Sequence, residues 1–456
     1  MRSRTLAAVA QQVSGTLLGA DAAFGRVSID TRKLDPGALF VAIPGERFDG
    51  NDFVPDAHAR RAAGAVVSRP ADVPLPQVRV SDTRNALSGM ARGWRKNFPI
   101  PVVAVTGSNG KTTVKELIAG ILGGSRDVCV TRGNLNNDLG VPLTLMELAD
   151  HHEVLVIELG ANHAGEIAAL SQLVDPTVGV ITNAGAAHLE GFGSIAGVAR
   201  AKGELLDHLP AAGAAILNAD DPHCSAWTRR SRAARVLTFG FDRSADCTVR
   251  GEVADVSEGS AFTLMLPDGT DLRMTLPLRG RHSVLNSLAA AAAAHAVGAS
   301  PDEILAGLSR ARPVSGRLNR MSGFGGATII DDTYNANPTS TCAALDYLRG
   351  CGGRRMFVLG DMAELGAEAA ELHRQVGEYA RDCCDALFAI GGLSQEAAQA
   401  FGSGAQSFTD LTALRRALKP LLSEDATLLV KGSRVMGLDR LVGSLGTSGD
   451  EREAAC

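Results

Sequence analysis

Aromatic side chains are scarce in this chain of 456 residues: Phe, Trp and Tyr make up 4%, and Trp94 and Trp227 are its two tryptophans. A nucleic-acid surface of basic residues interleaved with aromatics is therefore not visible. An excess of positive charge is missing as well. The 45 basic residues face 50 acidic ones, for a net charge of −5, which argues against a polyanionic partner. Long apolar runs are absent too. The alanine-rich Leu288–Val297 falls well short of the roughly 20 residues a membrane span needs. The first 20 residues superficially resemble a signal peptide, but Gln11 and Gln12 break the apolar core. Leu6, Val9, Val13 and Leu17 keep a helical spacing, so an amphipathic helix is expected there and export is not. The eight cysteines include no CxxC pair and no zinc spacing, and Cys383 and Cys384 are adjacent. All are expected to be reduced thiols of a cytoplasmic protein.

What is present is a chain too long for one core, with 45% apolar and 21% charged residues, so two to four domains are expected. Its organising stretch is Val102 to Leu122. An apolar run leads into Thr106-Gly107-Ser108-Asn109-Gly110-Lys111-Thr112-Thr113 and then into a helical pattern. Strand, glycine loop and helix in that order form a phosphate cradle of the P-loop type. The glycines let backbone N–H groups aim at phosphate oxygens, and the helix start adds its positive end. Lys111 would reach the terminal phosphates, and the Thr112 hydroxyl suits Mg²⁺. Val105 stands where the full Walker pattern has glycine, so an ordinary glycine-rich turn with a surface lysine is the alternative.

Residues 1–98 read as a small α/β unit, with strands expected at Val27–Asp30, Ala38–Ile43 and Ala65–Val67. Around Asn97–Pro101 the pattern restarts. Residues 99–312 alternate strands (Val102–Val105, Val154–Leu159, Val178–Ile181, Ala214–Leu217, and one near Val236–Gly240) with helices, the rhythm of a largely parallel sheet. Residues 246–278 read as a hairpin turning at Asp268-Gly269, and a helix over Val284–Val297 is expected to close the domain. A second break at Ala311–Arg317 opens residues 313–456, with strands at Thr328–Ile330, Met356–Leu359, Ala386–Ile390 and Thr427–Val430. Polar loops follow the strands' carboxyl ends, where open α/β sheets bind ligands. The expected fold is thus three α/β domains: a small N-terminal one, a central P-loop ATPase-like one, and a Rossmann-like C-terminal one.

Glu158 ends an apolar strand, where a carboxylate is costly unless used or paired; it reads as a metal-site residue. His188, in a loop after the next strand, is as readily a ligand as a hydrogen-bonded loop residue. Lys202, in a helical context, reads on its own as a surface lysine. These residues imply ATP, Mg²⁺ and an anionic second substrate, without choosing among ATPase, kinase and ligase.

Three separated blocks resemble the Mur ligase family of ATP-dependent amide-forming enzymes: the P-loop; Glu158 with His188 and Lys202; and Gly316-Arg317 with Asp332. Asp331–Pro338, Gly360–Gly366, Asp30–Arg32 and Gly45–Gly50 point to the branch that joins D-alanyl-D-alanine to the carboxylate of UDP-N-acetylmuramoyl-tripeptide. The resemblance implies that Gly107 to Thr113 cradle ATP, with Thr112 and Glu158 at one Mg²⁺ and His188 at a second. It implies a Lys202 carbamylated by CO₂, an anion able to support magnesium. It places His282 and Asn286 near adenine, Arg317 at the γ-phosphate and Asp332 near the ribose. Ser28, Thr31 and Arg32 would grip the UDP-sugar, Asn134 to Asn137 would line its channel, and Asn335 and Asn337 would face substrate. Asn51 and Thr31 stand where the family usually has histidine and serine. A monomer that closes on its substrates by a hinge near residue 312 is expected. A folylpolyglutamate synthase would not need the Asp30–Arg32 domain, and a non-catalytic scaffold would not need Lys111, Glu158, His188 and Lys202 together.

Overall fold

The computed structural model describes residues 4–446, and the chain forms three α/β domains. At its centre is the strand Val102–Thr106, buried along its whole length. Its side chains alternate between two cores: Val102 and Ala104 join one apolar cluster, Val103 and Val105 the other. A strand covered on both faces must be apolar at every position, which is why it reads as a continuous run. It pairs in parallel with Val154–Glu158 on one side and Val178–Ile181 on the other. Both neighbours come later in the chain, so the strand order reverses here and a crevice opens beyond the carboxyl ends. Ala214–Asn218 and Arg235–Phe239 extend one flank of this six-stranded sheet, and Val128–Val130 the other. The helix Arg281–Ala296 packs on the P-loop helix Lys111–Leu122 and on the sheet, and its alanines 289–294, on all sides of the helix, are fully buried.

The expected hairpin is one arm of a three-stranded antiparallel sheet, Thr248–Val256, Gly259–Met265 and Asp271–Leu276, with its turn at Asp268-Gly269. The helix expected to close the domain is followed by another, Pro301–Ser309, started by a capping box at Ser300 and Glu303.

The N-terminal sheet runs in the order Thr16–Leu18, Gln77–Arg79, Gly64–Val67, Leu39–Val41, Val27–Ser28. The helix anticipated as far as Leu17 stops at Gln12. Ser14 turns left-handed at φ 53, and Gly15 sits so close to the next strand that a β-carbon there would meet Arg79 O at 2.9 Å. Strand pairing across the domain overrides the helical spacing. The C-terminal sheet runs in the order Asn319–Ser322, Thr328–Asp332, Ala426–Lys431, Arg354–Gly360, Ala386–Ile390, Ala405–Phe408. Its first pair is antiparallel and the remainder parallel. The edge strands Thr16–Leu18, Val128–Val130, Asn319–Ser322 and Ala405–Phe408 were not expected from sequence. They are three or four residues long and largely half-buried or exposed, too short to stand out as apolar runs.

Among the described residues, no helix is long and apolar enough to cross a membrane. The seven described cysteines are free thiols, and Cys456 lies outside the described residues.

Candidate active site

The P-loop's two glycines are fixed by geometry. Gly107 and Gly110 have φ of 142° and 82°. Added β-carbons would meet Thr182 Oγ1 at 1.9 Å and Asn286 Oδ1 at 2.4 Å. The loop after the neighbouring strand braces the cradle: Asn109 N–H donates to Asn183 Oδ1 at 3.0 Å, and Gly185 N–H donates to Ser108 Oγ at 2.9 Å. Lys111 opens the helix and its Nζ donates to Gly107 O at 2.8 Å. Burial pushes its ammonium below the usual lysine range; nearby Glu158 opposes this and Arg317 adds to it.

Glu158 is buried at the end of its strand, and a chain of contacts places it. Lys115, fully buried, donates to Thr131 O at 2.7 Å, and Glu158 N–H donates to Thr131 Oγ1 at 2.9 Å. Asn136 Nδ2 donates to Glu158 Oε1 at 2.7 Å, whereas Oε2 is buried without a partner. An unpaired buried carboxylate oxygen beside a phosphate cradle suits a hard cation. Among the described residues no three His, Cys, Asp or Glu side chains gather as a metal cage. Thr112 Oγ1 accepts a hydrogen bond from Arg317 Nη2 at 3.0 Å.

His188 lines the same cavity with a left-handed backbone, φ 54, and its Nδ1 lies 2.5 Å from Glu364 Oε2. Burial lowers its affinity for a proton; Glu364 opposes that, while Lys111 and Lys202 lower it further. Lys202 corrects the reading of a surface lysine, being 1% exposed. Its Nζ lies 3.4 Å from Ala161 O, on the cavity wall, and 5.1 Å from the centre of the Phe192 ring. Burial, reinforced by Lys111, brings this ammonium down to about 7.

The C-terminal domain supplies the opposite wall. Arg317 stacks over Tyr334, 4.3 Å from guanidinium carbon to ring centre. Asp332 pairs with Lys431 at 2.5 Å, and Lys431 also donates to Asn335 O at 2.9 Å. Asn337 Nδ2 donates to Asn109 Oδ1 at 2.8 Å, so the P-loop is bridged to a domain that begins some 200 residues later. The cavity between these walls has a volume of about 780 Å³. It gathers Ser108, Asn109, Gly110, Lys111, Thr113, Glu158, His188, His282, Asn286, Arg317 and Asp332, together with Asn134, Asn137, Asn335 and Asn337.

The N-terminal candidates are elsewhere. Ser28 Oγ donates to Asp30 O at 3.0 Å, Thr31 opens a short helical turn, and Arg32 pairs with Asp30 at 2.9 Å; none lines the cavity. Asn51 is buried in that domain. It donates to Asp49 Oδ1 and Ser68 Oγ and accepts from the Ser68 and Arg69 N–H groups, so its side chain holds the domain's own loops. Sequence reasoning gave no individual role to Asn183, Tyr334, Glu364 or Lys431, and placed Asn136 only in the substrate channel. Each sits in a polar loop or at a strand end within or next to a motif that was quoted, and that was the available signal.

Family models match three consecutive segments. Residues 24–95 match the Mur ligase family catalytic domain, 105–294 the Mur ligase middle domain, and 316–434 the Mur ligase glutamate ligase domain. The chain is 45% identical to the UDP-N-acetylmuramoyl-tripeptide–D-alanyl-D-alanine ligase of Escherichia coli K12, covering 98% of this chain and 100% of that protein. Among solved structures, MurF from Acinetobacter baumannii superposes with a TM-score of 0.90 at 34% identity, over 97% of this chain and 99% of that one. MurF ligase from Thermotoga maritima in complex with ADP gives 0.81 at 26% identity, over 92% and 96%.

Proposed function

Since the chain belongs to the Mur ligase family, we propose how its residues divide the work of that chemistry. The protein is an ATP-dependent ligase that joins D-alanyl-D-alanine to the tripeptide carboxylate of UDP-N-acetylmuramoyl-tripeptide, in peptidoglycan precursor synthesis. The observation that carries the division of labour is the convergence, in one cavity, of a phosphate cradle, a buried carboxylate with a free oxygen and an arginine from another domain.

In the first step the tripeptide carboxylate attacks the γ-phosphorus of ATP, releasing ADP and leaving an acyl phosphate. Lys111 and Arg317 are placed to offset charge on the transferring phosphoryl group. The free amine of the dipeptide then attacks the acyl carbon, phosphate departs, and the amine proton is lost to give the amide. Magnesium, when bound, would withdraw charge from the phosphates; Thr112 and Glu158 would hold one ion, and His188 and Lys202 would support a second. The buried Lys202, whose burial favours the neutral amine, is suited to take up CO₂ as a carbamate. His282 and Asn286 would meet adenine, and Asp332, held by Lys431, the ribose. Closure of the C-terminal domain about a hinge near residue 312 would keep water from the acyl phosphate. Arg317 on Thr112 and Asn337 on Asn109 support this.

Ser28, Thr31 and Arg32 would grip the UDP portion, with residues 1–98 as the nucleotide-sugar domain, 99–312 as the ATP domain and 313–456 as the domain that closes. Asn134 and Asn137 would continue the substrate path, and Asn335 and Asn337 would face the acceptor. We place the enzyme in the cytoplasm as a monomer; the free thiols support a reducing compartment.

The test is product mass and ADP release with ATP, Mg²⁺ and D-Ala-D-Ala, with UDP-N-acetylmuramoyl-tripeptide present or omitted. ADP and a pentapeptide formed only in the complete mixture are expected. ADP without pentapeptide would overturn the acceptor.

A further inference from the structure

Two residues with left-handed backbones face each other across the seam between the central and C-terminal domains. His188 has φ 54 and Glu364 φ 63, and Nδ1 of the first lies 2.5 Å from Oε2 of the second. Side-chain-bearing residues persist in that conformation where their surroundings over-determine it. Here they do. The Glu190 N–H donates to Glu364 O at 3.1 Å. A β-carbon on Gly366 would stand 3.4 Å from the Glu190 Cα. The His188 and Phe192 rings meet edge to face with centroids 6.5 Å apart. The loop Gly360–Gly366 is thus seated on the segment that carries the histidine.

We infer that Glu364 is a positioning residue for His188, supplied by the C-terminal domain and acting on the magnesium site of the central one. His188 Nδ1 makes no aligned hydrogen bond, but the carboxylate lying against it favours the imidazole proton on that nitrogen and leaves the lone pair of Nε2 for a cation. With Nδ1 against Glu364, Nε2 is the nitrogen left for the cavity that His188 lines. The carboxylate is presented only when the loop Gly360–Gly366 is docked. Cation binding at His188 and closure of the C-terminal domain therefore favour each other, by the reciprocity that links any two coupled equilibria. This rests on the reading of His188 as a magnesium-supporting residue given above.

The test uses the full chain and two variants, Glu364→Ala and Glu364→Gln. Mn²⁺ is titrated in the presence of a non-hydrolysable ATP analogue, and free Mn²⁺ is read by electron paramagnetic resonance. Melting temperatures check that the variants fold. The alanine variant is expected to bind the weaker of two Mn²⁺ ions about 10-fold less tightly. The glutamine variant, whose amide oxygen can still stand against Nδ1–H, should stay close to the unaltered chain. Unchanged Mn²⁺ binding in Glu364→Ala with a lowered kcat would make Glu364 a mere domain latch and overturn the inference. Equal losses in both variants would overturn it too, because the acceptor atom would not be what matters. Failure of the unaltered chain to bind nucleotide-dependent Mn²⁺ would instead take down the reading of the site.

Discussion

The cavity between the central and C-terminal domains and the Asp30–Arg32 turn of the N-terminal domain are both rich in polar side chains, yet they are wired oppositely. In the turn the groups satisfy one another: Arg32 grips Asp30 with two hydrogen bonds, and Asp30 also accepts from the Arg32 N–H. In the cavity, Glu158 Oε2, Arg317 Nε and His188 Nδ1 are buried without hydrogen-bond partners, and next to it Lys202 is buried with a long contact to the Ala161 carbonyl and the Phe192 ring. Leaving such groups unpaired is costly, so a chain that keeps several together is holding them for charge that arrives with a ligand. A self-paired, exposed turn can exchange its partners for a ligand at little cost, so the role proposed for it is in affinity.

Predictions that break this contrast start with Glu158. Glu158→Gln should lower turnover by about 10³-fold, read as ADP release, with the fold intact by circular dichroism; a loss below tenfold would mean that the free oxygen is not used. Lys431→Met comes next. It strands the buried Asp332 carboxylate and should destabilise the chain by about 3–5 kcal/mol in urea unfolding, much of it recovered in the double variant with Asp332→Asn. A single variant as stable as the unaltered chain would show that the pair is not buried in solution.

Lys202 gives the third, through pH. Folded it titrates at about 7, against 10.5 for an ordinary lysine. Between those values the unfolded chain holds a proton that the folded chain has shed. This residue's contribution to stability therefore rises with pH through the window and is least favourable below about 7. Lys202→Met should flatten the pH dependence of Tm there. Lys202→Arg, which cannot deprotonate, should lower turnover by roughly 10²-fold at every pH. A variant that keeps the original Tm profile would refute the lowered titration. Smallest is Arg32→Ala, expected to raise KM for the nucleotide-sugar substrate several-fold while leaving kcat, ADP affinity and Tm alone. A drop in kcat there would place Arg32 nearer the chemistry than its exposed position implies.

Much of the fold was legible because its strands are short apolar runs bounded by polar loops: Val178–Ile181 and Ala386–Ile390 were located to the residue. The edge strands Val27–Ser28 and Arg235–Phe239 were legible, whereas four other edge strands and the interior Gln77–Arg79 were not, because three or four residues are too short a run to stand out. The helix expected through Leu17 failed because Ser14 and Gly15 must turn to bring Thr16–Leu18 beside Gln77–Arg79. Among site residues, the P-loop and Glu158 could be read from local pattern. Lys202 could not, since its burial is set by what packs over a helix and not by the helix itself.

The sequence alone determined the phosphate cradle, the strand that ends in Glu158 and the alternation of strands and helices, since each depends on residues within one or two turns of chain. The tertiary structure decided everything that depends on a partner: Arg317 on Thr112, 205 positions apart, Asn337 on Asn109, 228 apart, and Glu364 on His188. It also decided which lysines are buried and which polar groups are left free. Local propensity acts over a few residues, whereas solvent exclusion and charge pairing act between whatever surfaces the packed domains bring together.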